Sequence, residues 1–154
     1  MSSFHQLAYH VVFSTKYRRQ ILLKPNAESI YQYVGGIIRS LDCHLVEAGG
    51  IEDHVHLLLN IAPTIAVSDV IRTIKANSSK WINQQDFTQR EFQWQKGYAA
   101  FTVSYSQRDA VRSYIQNQEE HHKTLSFEEE YIKILTRHGI PFERKYLFEQ
   151  EHLG

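Results

Sequence analysis

The order of strand-like and helix-like segments is the feature that most restricts how this chain can fold. Some segments alternate apolar and polar residues, as β-strands do, and others repeat apolar residues at spacings of three and four, as amphipathic helices do. In chain order the pattern predicts a strand at 6–14, a helix at 27–41, strands at 43–48 and 51–61, a helix at 67–82 and a strand that ends near 105. A βαββαβ order is typical of the α+β ferredoxin-like (RRM-like) fold, in which an antiparallel sheet carries both helices on one face.

The third predicted strand places two histidines in the middle of that sheet. The first and third strands form the central pair in this topology, and residues i and i+2 of a strand point to the same face. His54 and His56 should therefore be neighbours on one face, beside His10 of the first strand. We expect the sheet face without helices to stay free for a ligand, and Gly49-Gly50 to form the turn before the third strand.

Two further helices are predicted after the sheet. Ser106 with Asp109 has the form of a capping box that opens the first of them, and Ser126 with Glu129 opens the second. A length of 154 residues suits one domain. We expect this single domain, 1–154, to consist of a core at about 5–105, a helix that carries Tyr114 at about 107–123, and a C-terminal helix and tail at about 126–154.

Composition narrows the class of protein. Lys and Arg total 17 and Asp and Glu total 17, so the formal net charge is zero and any nucleic-acid surface must be local. The single cysteine, Cys43, excludes an internal disulfide and cysteine-based zinc sites. The first residues lack a basic segment followed by a long apolar run, so we expect a cytoplasmic protein without a signal peptide or membrane span.

The strand histidines and a later helix together point to metal-assisted chemistry. Two residues at i and i+2 lie roughly 6–7 Å apart along a strand, so the rings of His54 and His56 can converge on one divalent cation. Tyr114 and Gln118 share one helix face, and a Gln118 carbonyl beside imidazole suits Mg²⁺ or Mn²⁺. A phenol at such a site can attack a phosphodiester and form a covalent phosphotyrosine. Taken singly, a His-x-His pair on a strand is more often two ordinary polar residues than a metal site. A single tyrosine on a helix is likewise more often a packing residue than a nucleophile.

Two groups of basic residues are candidates for contacts with a DNA backbone. One group surrounds Tyr17 and is either a solvated turn or a phosphate-contacting loop. The other lies on the polar side of the second helix, and no acidic residues interleave within it, which favours a backbone contact over an ordinary wet face. The candidate DNA-binding residues are Lys16, Arg18, Arg19, Arg72, Lys75 and Lys80.

Short motifs occur in a fixed order over nearly the whole chain. They are Tyr9-His10-Val11-Val12-Phe13, Thr15-Lys16-Tyr17-Arg18-Arg19, Asp53-His54-Val55-His56-Leu57, Lys75-Ala76-Asn77-Ser78-Ser79, Trp94-Gln95-Lys96-Gly97-Tyr98, Tyr114-Ile115-Gln116-Asn117-Gln118 and His121-His122-Lys123. As an ordered set they are far more specific than His-x-His alone. The set resembles the single-tyrosine HUH transposases of small bacterial insertion sequences, where HUH denotes histidine, hydrophobe and histidine.

This resemblance implies a mechanism and a set of roles. His54 and His56 match the family's metal-binding pair, Gln118 matches its third ligand, and Tyr114 matches its nucleophile. Such enzymes cut and rejoin single-stranded DNA at ends marked by hairpins, through a covalent 5′-phosphotyrosine and with magnesium or manganese (Mg²⁺ or Mn²⁺). They work as homodimers in which the tyrosine helix can complete the partner's site. We therefore expect a homodimer that acts on single-stranded DNA.

Other functions are compatible with the same residues. One is a non-catalytic, single-stranded nucleic-acid-binding module of RRM-like fold, although histidines at the sheet centre argue against it because stacking platforms use Phe or Tyr there. Another is a metal hydrolase in which His54 and His56, with His10 or His122, activate water; it leaves Tyr114 without a role. A domesticated relative would carry the same chemistry without moving its own element.

Overall fold

The computed structural model describes residues 1–149 and confirms the βαββαβ order. The strands are β1 (Ala8–Ser14), β2 (His44–Ile51), β3 (His54–Asn60) and β4 (Ala99–Val103). The helices are α1 (Asn26–Ser40), α2 (Val67–Asn83), α3 (Arg108–Gln116), α4 (Gln118–His121) and α5 (Phe127–Arg137). Short 3₁₀ turns lie at Lys16–Arg18, Tyr105–Gln107 and Arg144–Tyr146.

The four strands form one antiparallel sheet in the order β2-β3-β1-β4, with β1 and β3 as the predicted central pair. In their register Val12 lies opposite His56, and Ser14 lies opposite His54. β2 pairs with the other side of β3, and β4 with the other side of β1. Both histidines therefore stand on a strand whose backbone is held from two sides.

Helices α1 and α2 cover one face of the sheet and build the main core with it. Apolar residues on one side of β1 and β3 meet the apolar stripes of the two helices, as their spacings predict. Trp94 packs edge-on against Phe13 and Phe92, and its indole Nε1 donates to Ser78 of α2 at 2.9 Å. Core residues that are at most 1% exposed include Val11, Phe13, Ile38, Leu57, Leu59, Val70, Ile74 and Ile82.

The second face of the sheet is covered, so the expectation that it stays free for a ligand is wrong. Val12 and Phe101 pack against Phe127 and its neighbours in α5, and Leu58 packs against Ile115 in α3. These strand side chains are apolar, and burying them under α3 to α5 removes a second apolar surface from water. The sheet is therefore a middle layer with helices on both sides.

Gly49 and Gly50 do not form the turn that was predicted for them. Strand β2 continues through both, with Gly49 opposite His56, and the turn falls at 52–53. A Cβ atom on Gly49 would lie 2.6 Å from the backbone oxygen of Ile115. The missing side chain therefore allows the C-terminal end of α3 to lie directly on the sheet.

The helix predicted at about 107–123 is divided into α3 and α4. Asn117 interrupts it with φ −100° and ψ 22°, outside the helical range. Periodicity alone does not show such a break, because the apolar spacing continues across it. Within the part of the chain described, no helix is both long and apolar enough to cross a bilayer.

The two predicted helix caps have different outcomes. Ser106 lies in the 3₁₀ turn before α3, which begins without a side-chain cap, so that prediction is wrong. Ser126 caps α5 as predicted, with its Oγ accepting from the Glu129 backbone N–H at 3.2 Å. The predicted tail contains one short turn at 144–146, and its last part, 150–154, lies outside the described residues.

Replacing Gly49 with alanine should lower the free energy of unfolding by roughly 1–3 kcal/mol, the usual cost of overpacking, because the new Cβ meets the Ile115 backbone. Gly36→Ala in α1 is the matched control, since a Cβ there would meet only the tip of the Arg39 side chain, at 3.8 Å. It should be neutral or stabilising by up to about 1 kcal/mol. Urea unfolding followed by circular dichroism measures both variants. Equal stabilities would contradict the close approach of α3 to β2.

Candidate functional site

Strand β3 directs His54 and His56 to the sheet face that α3 to α5 cover. Alternation along the strand puts both on this face, and both side chains are fully buried, at 0% exposed. Their ring centroids are 5.0 Å apart. The two rings thus meet edge to face, in a dry environment where electrostatic interactions are strong.

Each of these imidazoles is oriented through its Nδ1 atom. The His54 Nδ1–H donates to Asp53 Oδ1 at 2.7 Å, and His56 Nδ1 lies 2.8 Å from His10 Nε2. The contact between His56 and His10 places His10 beside the two strand histidines, as the sheet topology predicts. Because Nδ1 is engaged in both rings, Nε2 is the atom that each ring presents to a ligand.

The end of α3 and the start of α4 bring Tyr114 and Gln118 onto the histidines. Gln118 is buried, and its Oε1 lies 2.7 Å from His54 Nε2. Tyr114 is half-buried, with its ring centroid 5.7 Å from that of His56. The four residues predicted for catalysis and metal binding therefore lie together within one chain.

Glu130 of α5 stands at the centre of this group, and it was not predicted from the sequence. Its side chain is 1% exposed. Its Oε1 atom lies 3.0 Å from His56 Nε2, 3.3 Å from His54 Nε2 and 3.1 Å from His122 Nε2. Three imidazoles, two from β3 and one from the segment after α4, therefore converge on one carboxylate oxygen.

The other oxygen of Glu130 connects the same carboxylate to the predicted nucleophile. Oε2 accepts hydrogen bonds from the Tyr114 hydroxyl and from Gln118 Nε2, the latter at 2.9 Å. In the sequence, Glu130 is the third of three consecutive acids after the cap Ser126, which is ordinary favourable charge at a helix N-terminus. Its spacing of three residues from the apolar Phe127 places the two on the same helix face, but that spacing alone does not show that this face is buried.

Burial and neighbouring charges separate the pKa values of the rings. Burial lowers the pKa of His54, but hydrogen bonds to Asp53 and Glu130 outweigh it and raise the pKa to about 9. Burial lowers the pKa of His56 to about 4, and burial together with His56 lowers the pKa of His10 to about 3. His10 is therefore a neutral ring whose Nε2 is already engaged. His10 therefore orients His56. Because its Nε2 is occupied in this way, His10 does not suit the role of third metal ligand that the hydrolase hypothesis considered for it.

Glu130 is ionised at neutral pH, and Tyr114, which donates a hydrogen bond to it, is neutral. Burial alone would raise the pKa of Glu130, but hydrogen bonds from His122, His54 and His56 hold its pKa well below the ordinary value. Burial and then the Glu130 charge raise the pKa of Tyr114. At neutral pH the phenol therefore keeps its proton and donates it to an ionised carboxylate.

The donor atoms of this site fit a divalent cation. His54 Nε2, His122 Nε2 and Glu130 Oε1 all lie within 4.8 Å of one another. Imidazole suits Mn²⁺ and other transition metals, and carboxylate and amide oxygens extend the range to Mg²⁺. A carboxylate behind a ligand histidine, as Asp53 is behind His54, is typical of metal sites. The residues form a candidate metal centre, and several divalent ions fit its donors.

The basic residues after β1 form a compact surface around Tyr17. Lys16 and Arg19 lie over the Tyr17 ring, 5.3 and 5.0 Å from its centroid, and Arg18 lies 4.4 Å from the centroid of Phe148. Cation–π contacts of this kind contribute about 0.5–1 kcal/mol at exposed sites. All three predicted candidates therefore have an aromatic partner within the protein.

The basic residues of α2 have three different environments. Lys75 Nζ donates to backbone carbonyls within 95–97, the shortest contact being 2.6 Å, and burial lowers its pKa to about 8. Arg72 pairs with Asp69 at 2.7 Å on the exposed side of the helix. Lys80 is exposed. The predicted basic stripe is thus not uniform, and Lys75 has a structural task.

A family model described as "Transposase IS200 like" matches residues 3–118. This chain belongs to the IS200-like transposase family. It is 34% identical over 125 residues to the transposase for insertion sequence element IS200 of Salmonella typhimurium, covering 75% of this chain and 78% of that protein. It is 27% identical over 119 residues to the ISDra2 transposase TnpA of Deinococcus radiodurans, covering 74% and 85%. The expected family is confirmed, and transposases are enzymes that cut and rejoin DNA.

Solved structures agree with the α+β fold of this transposase. A crystal structure assigned as a transposase from Deinococcus radiodurans aligns with a TM-score of 0.59 at 27% identity, over 77% of this chain and 95% of that one. A REP-associated tyrosine transposase bound to a REP hairpin aligns with a TM-score of 0.60 at 14% identity, over 79% and 74%. At 14% identity, the likeness to the REP-associated transposase shows only that the two folds are similar.

Lys75→Ala should lower the free energy of unfolding by about 1.5–3 kcal/mol, the range for hydrogen bonds to a charged group, because it leaves the carbonyls of 95–97 without their donor. Lys80→Ala, from the exposed part of the same stripe, should change it by less than about 0.5 kcal/mol. Urea unfolding measures both. A Lys75→Ala protein of unchanged stability that binds DNA poorly would assign Lys75 to DNA instead.

Asp53→Asn should weaken Mn²⁺ binding by roughly 10–100-fold, as loss of a partner behind a ligand histidine does. The neutral amide no longer fixes the Nδ1–H form of His54. Isothermal titration calorimetry of the purified protein with MnCl₂ measures the affinity. Asp42→Asn, an exposed acid between α1 and β2, is the control and should leave it unchanged. An equal effect of the two substitutions would contradict an orienting role for Asp53.

Proposed function

We propose that this chain is a single-tyrosine HUH transposase that cuts and rejoins single-stranded DNA at hairpin-marked element ends. Tyr114 is the nucleophile, and His54, His56 and Gln118 hold Mg²⁺ or Mn²⁺. One observation carries the proposal: a phenol and an amide from α3 and α4 meet two imidazoles of the central strand. A structural tyrosine at a helix edge has no need of such partners.

The geometry supports covalent catalysis by Tyr114. Its oxygen attacks the phosphorus, the bond from phosphorus to the 3′ oxygen breaks, and a 5′-phosphotyrosine remains. The phenolic proton leaves by way of Glu130 Oε2, to which it is already hydrogen-bonded, and passes to solvent. The departing 3′ oxygen takes up a proton from solvent, so no net proton is gained or lost. A bound divalent cation would withdraw charge from the scissile phosphate and orient it. Reversal of the same steps rejoins the strands without a nucleotide cofactor.

The position of Tyr114 bears on the expected homodimer. Tyr114 lies against the histidines of its own chain, so a tyrosine delivered by a partner subunit is not required to assemble the group. The homodimer remains a prediction from the family resemblance. Because His54 and His56 are fully buried, contact with a scissile phosphate requires the covering helices to open near them.

The basic surfaces supply a route for the DNA strand. Lys16 and Arg19 around Tyr17, with Arg72 and Lys80 on α2, present cations that can contact phosphates. Arg18 and Lys75 belong to the same surfaces, although their contacts within the protein are more extensive. A fold neighbour is described as bound to a REP hairpin, which makes hairpins the first substrates to test.

The observed packing weighs against the alternative of a non-catalytic RRM-like binder. Such a module needs an open sheet face with stacking aromatics. Here that face carries His10, His54 and His56 and lies under α3 to α5. A domesticated relative with the same chemistry would have the same site, and the DNA that flanks the gene distinguishes the two.

Tyr114→Phe should abolish covalent attachment to labelled single-stranded DNA in the presence of Mn²⁺, while hairpin binding and the fold are retained. Tyr105→Phe, an exposed tyrosine in the turn before α3, is the matched control and should form the adduct as the wild type does. Denaturing electrophoresis detects the shifted protein–DNA band, with hairpins from the DNA flanking the gene as substrates. Continued attachment in Tyr114→Phe would rule out this nucleophile, and no adduct from the wild type on any hairpin would favour the binder.

A further inference from the structure

We propose that Glu130, through Oε1, and His122, through Nε2, ligate the divalent cation together with His54, His56 and Gln118. The other oxygen of the same carboxylate holds the nucleophilic phenol. This inference deepens the proposed function and rests on it. It brings α5 and the segment after α4 into a metal site for which the family resemblance supplies only three ligands.

Most contacts among the donor atoms match the spacing of a coordination shell. Ligands bound at about 2.1 Å to one cation lie ~3.0–3.4 Å from their neighbours in octahedral or tetrahedral geometry. Glu130 Oε1 lies 3.0 to 3.3 Å from the Nε2 atoms of His54, His56 and His122. Gln118 Oε1 adds contacts of 2.7 Å to His54 Nε2 and 3.1 Å to His122 Nε2. Glu130 Oε1 and Gln118 Oε1 thus both contact the Nε2 atoms of His54 and His122, and His56 joins this group through Glu130 Oε1.

The hydrogen bonds at Nδ1 of His54 and His122 also favour metal binding at Nε2. The Nδ1–H of His122 donates to the Leu125 carbonyl at 2.6 Å, and the Nδ1–H of His54 donates to Asp53 at 2.7 Å. A neutral ring that carries its proton on Nδ1 presents a lone pair at Nε2. In both rings Nε2 faces oxygen atoms of Glu130 and Gln118, and without a cation it donates its proton to them. A bound cation would take the place of these Nε2 protons, and the same nitrogen and oxygen atoms would then ligate it.

The amide of Gln118 is oriented for the same purpose. Its Nε2 donates to Glu130 Oε2 at 2.9 Å, which fixes its Oε1 toward His54 and His122. The amide oxygen therefore faces Nε2 of both rings, as a ligand shared with them would. The side chain is 1% exposed, so water does not supply an alternative partner.

One carboxylate then serves the cation and the nucleophile together. Oε1 faces the imidazoles, and Oε2 accepts the hydrogen bond from Tyr114. Binding of the cation to Oε1 would fix the carboxylate, and through it the position of the phenolic oxygen. With three imidazoles among five donors, the site should prefer Mn²⁺ to Mg²⁺, because imidazole suits the softer ion.

The decisive measurement is Mn²⁺ binding to the full-length protein without DNA. Glu130→Gln keeps the shape and removes the charge, and it should weaken Mn²⁺ binding at least tenfold in calorimetric titration. His122→Ala should weaken it as well. Glu128→Gln, an exposed acid on the same helix, removes the same charge and should leave the affinity unchanged. Circular dichroism without metal confirms that each variant is folded.

A second readout uses the wild type alone and does not depend on any variant folding. Electron paramagnetic resonance with ¹⁷O-labelled water counts the waters on bound Mn²⁺. Six-coordinate Mn²⁺ held by five protein donors retains one water, whereas a site of His54, His56 and Gln118 alone retains three. One water supports the inference, and three waters overturn it.

The failure of this inference differs from the failure of the proposed function. If Glu130→Gln binds Mn²⁺ as tightly as the wild type or more tightly, the carboxylate only fills the place of the cation, and the extra ligands are wrong. Covalent attachment through Tyr114 would still stand in that case. If the wild type holds Mn²⁺ through Glu130 but attaches to no DNA, the metal site stands and the transposase chemistry fails.

Discussion

The ionised side chain of Glu130 is the constraint on which the polar half of this structure depends. Burying an ion costs several kcal/mol unless polar partners compensate for the lost water. Glu130 finds its partners on β3, on α3 and α4, and at His122. Hydrogen bonds from the three imidazoles hold its pKa well below the ordinary value, so the charge persists at neutral pH. The helices on this face therefore cannot leave the sheet without stripping a charge of its partners.

The placement of those partners follows from how the sheet is built. The β1 and β3 pairing sets His10 beside His56, and the turn at its end sets Asp53 beside His54. Gly49 on β2 makes a less obvious contribution, because it lets the backbone of Ile115, the residue after Tyr114, lie on the sheet. A glycine distant in sequence from the site thus fixes how deeply α3 can carry the phenol.

Local patterns in the sequence predicted the strands, the helices on the first face and the facing of His54 and His56, because each depends on periods of two or 3.6 residues. They failed where the outcome depends on contacts distant in the chain. Gly49-Gly50 is a favourable turn by composition, yet it pairs within β2. The covered second face and the inward position of Glu130 depend on helices that pack back over the sheet, which local spacing does not encode. Spacing along the strand and the helix singled out His54, His56, Tyr114 and Gln118, and the order of whole motifs predicted the family and the role of each of the four in it.

The division of the predicted tyrosine helix at Asn117 affects how the site can work. On a continuous helix from 107 to 123, Tyr114 and Gln118 would move together. Moving Tyr114 toward a phosphate would then also move Gln118 away from His54. The break separates α3, which carries Tyr114, from α4, which begins with Gln118. Removing one member of a buried polar network can cost more free energy than the single hydrogen bond it makes, so moving Gln118 away from the histidines would be costly. Under the proposed mechanism, the interruption at Asn117 places the phenol and the amide on separate helices, so that Tyr114 can move without moving Gln118.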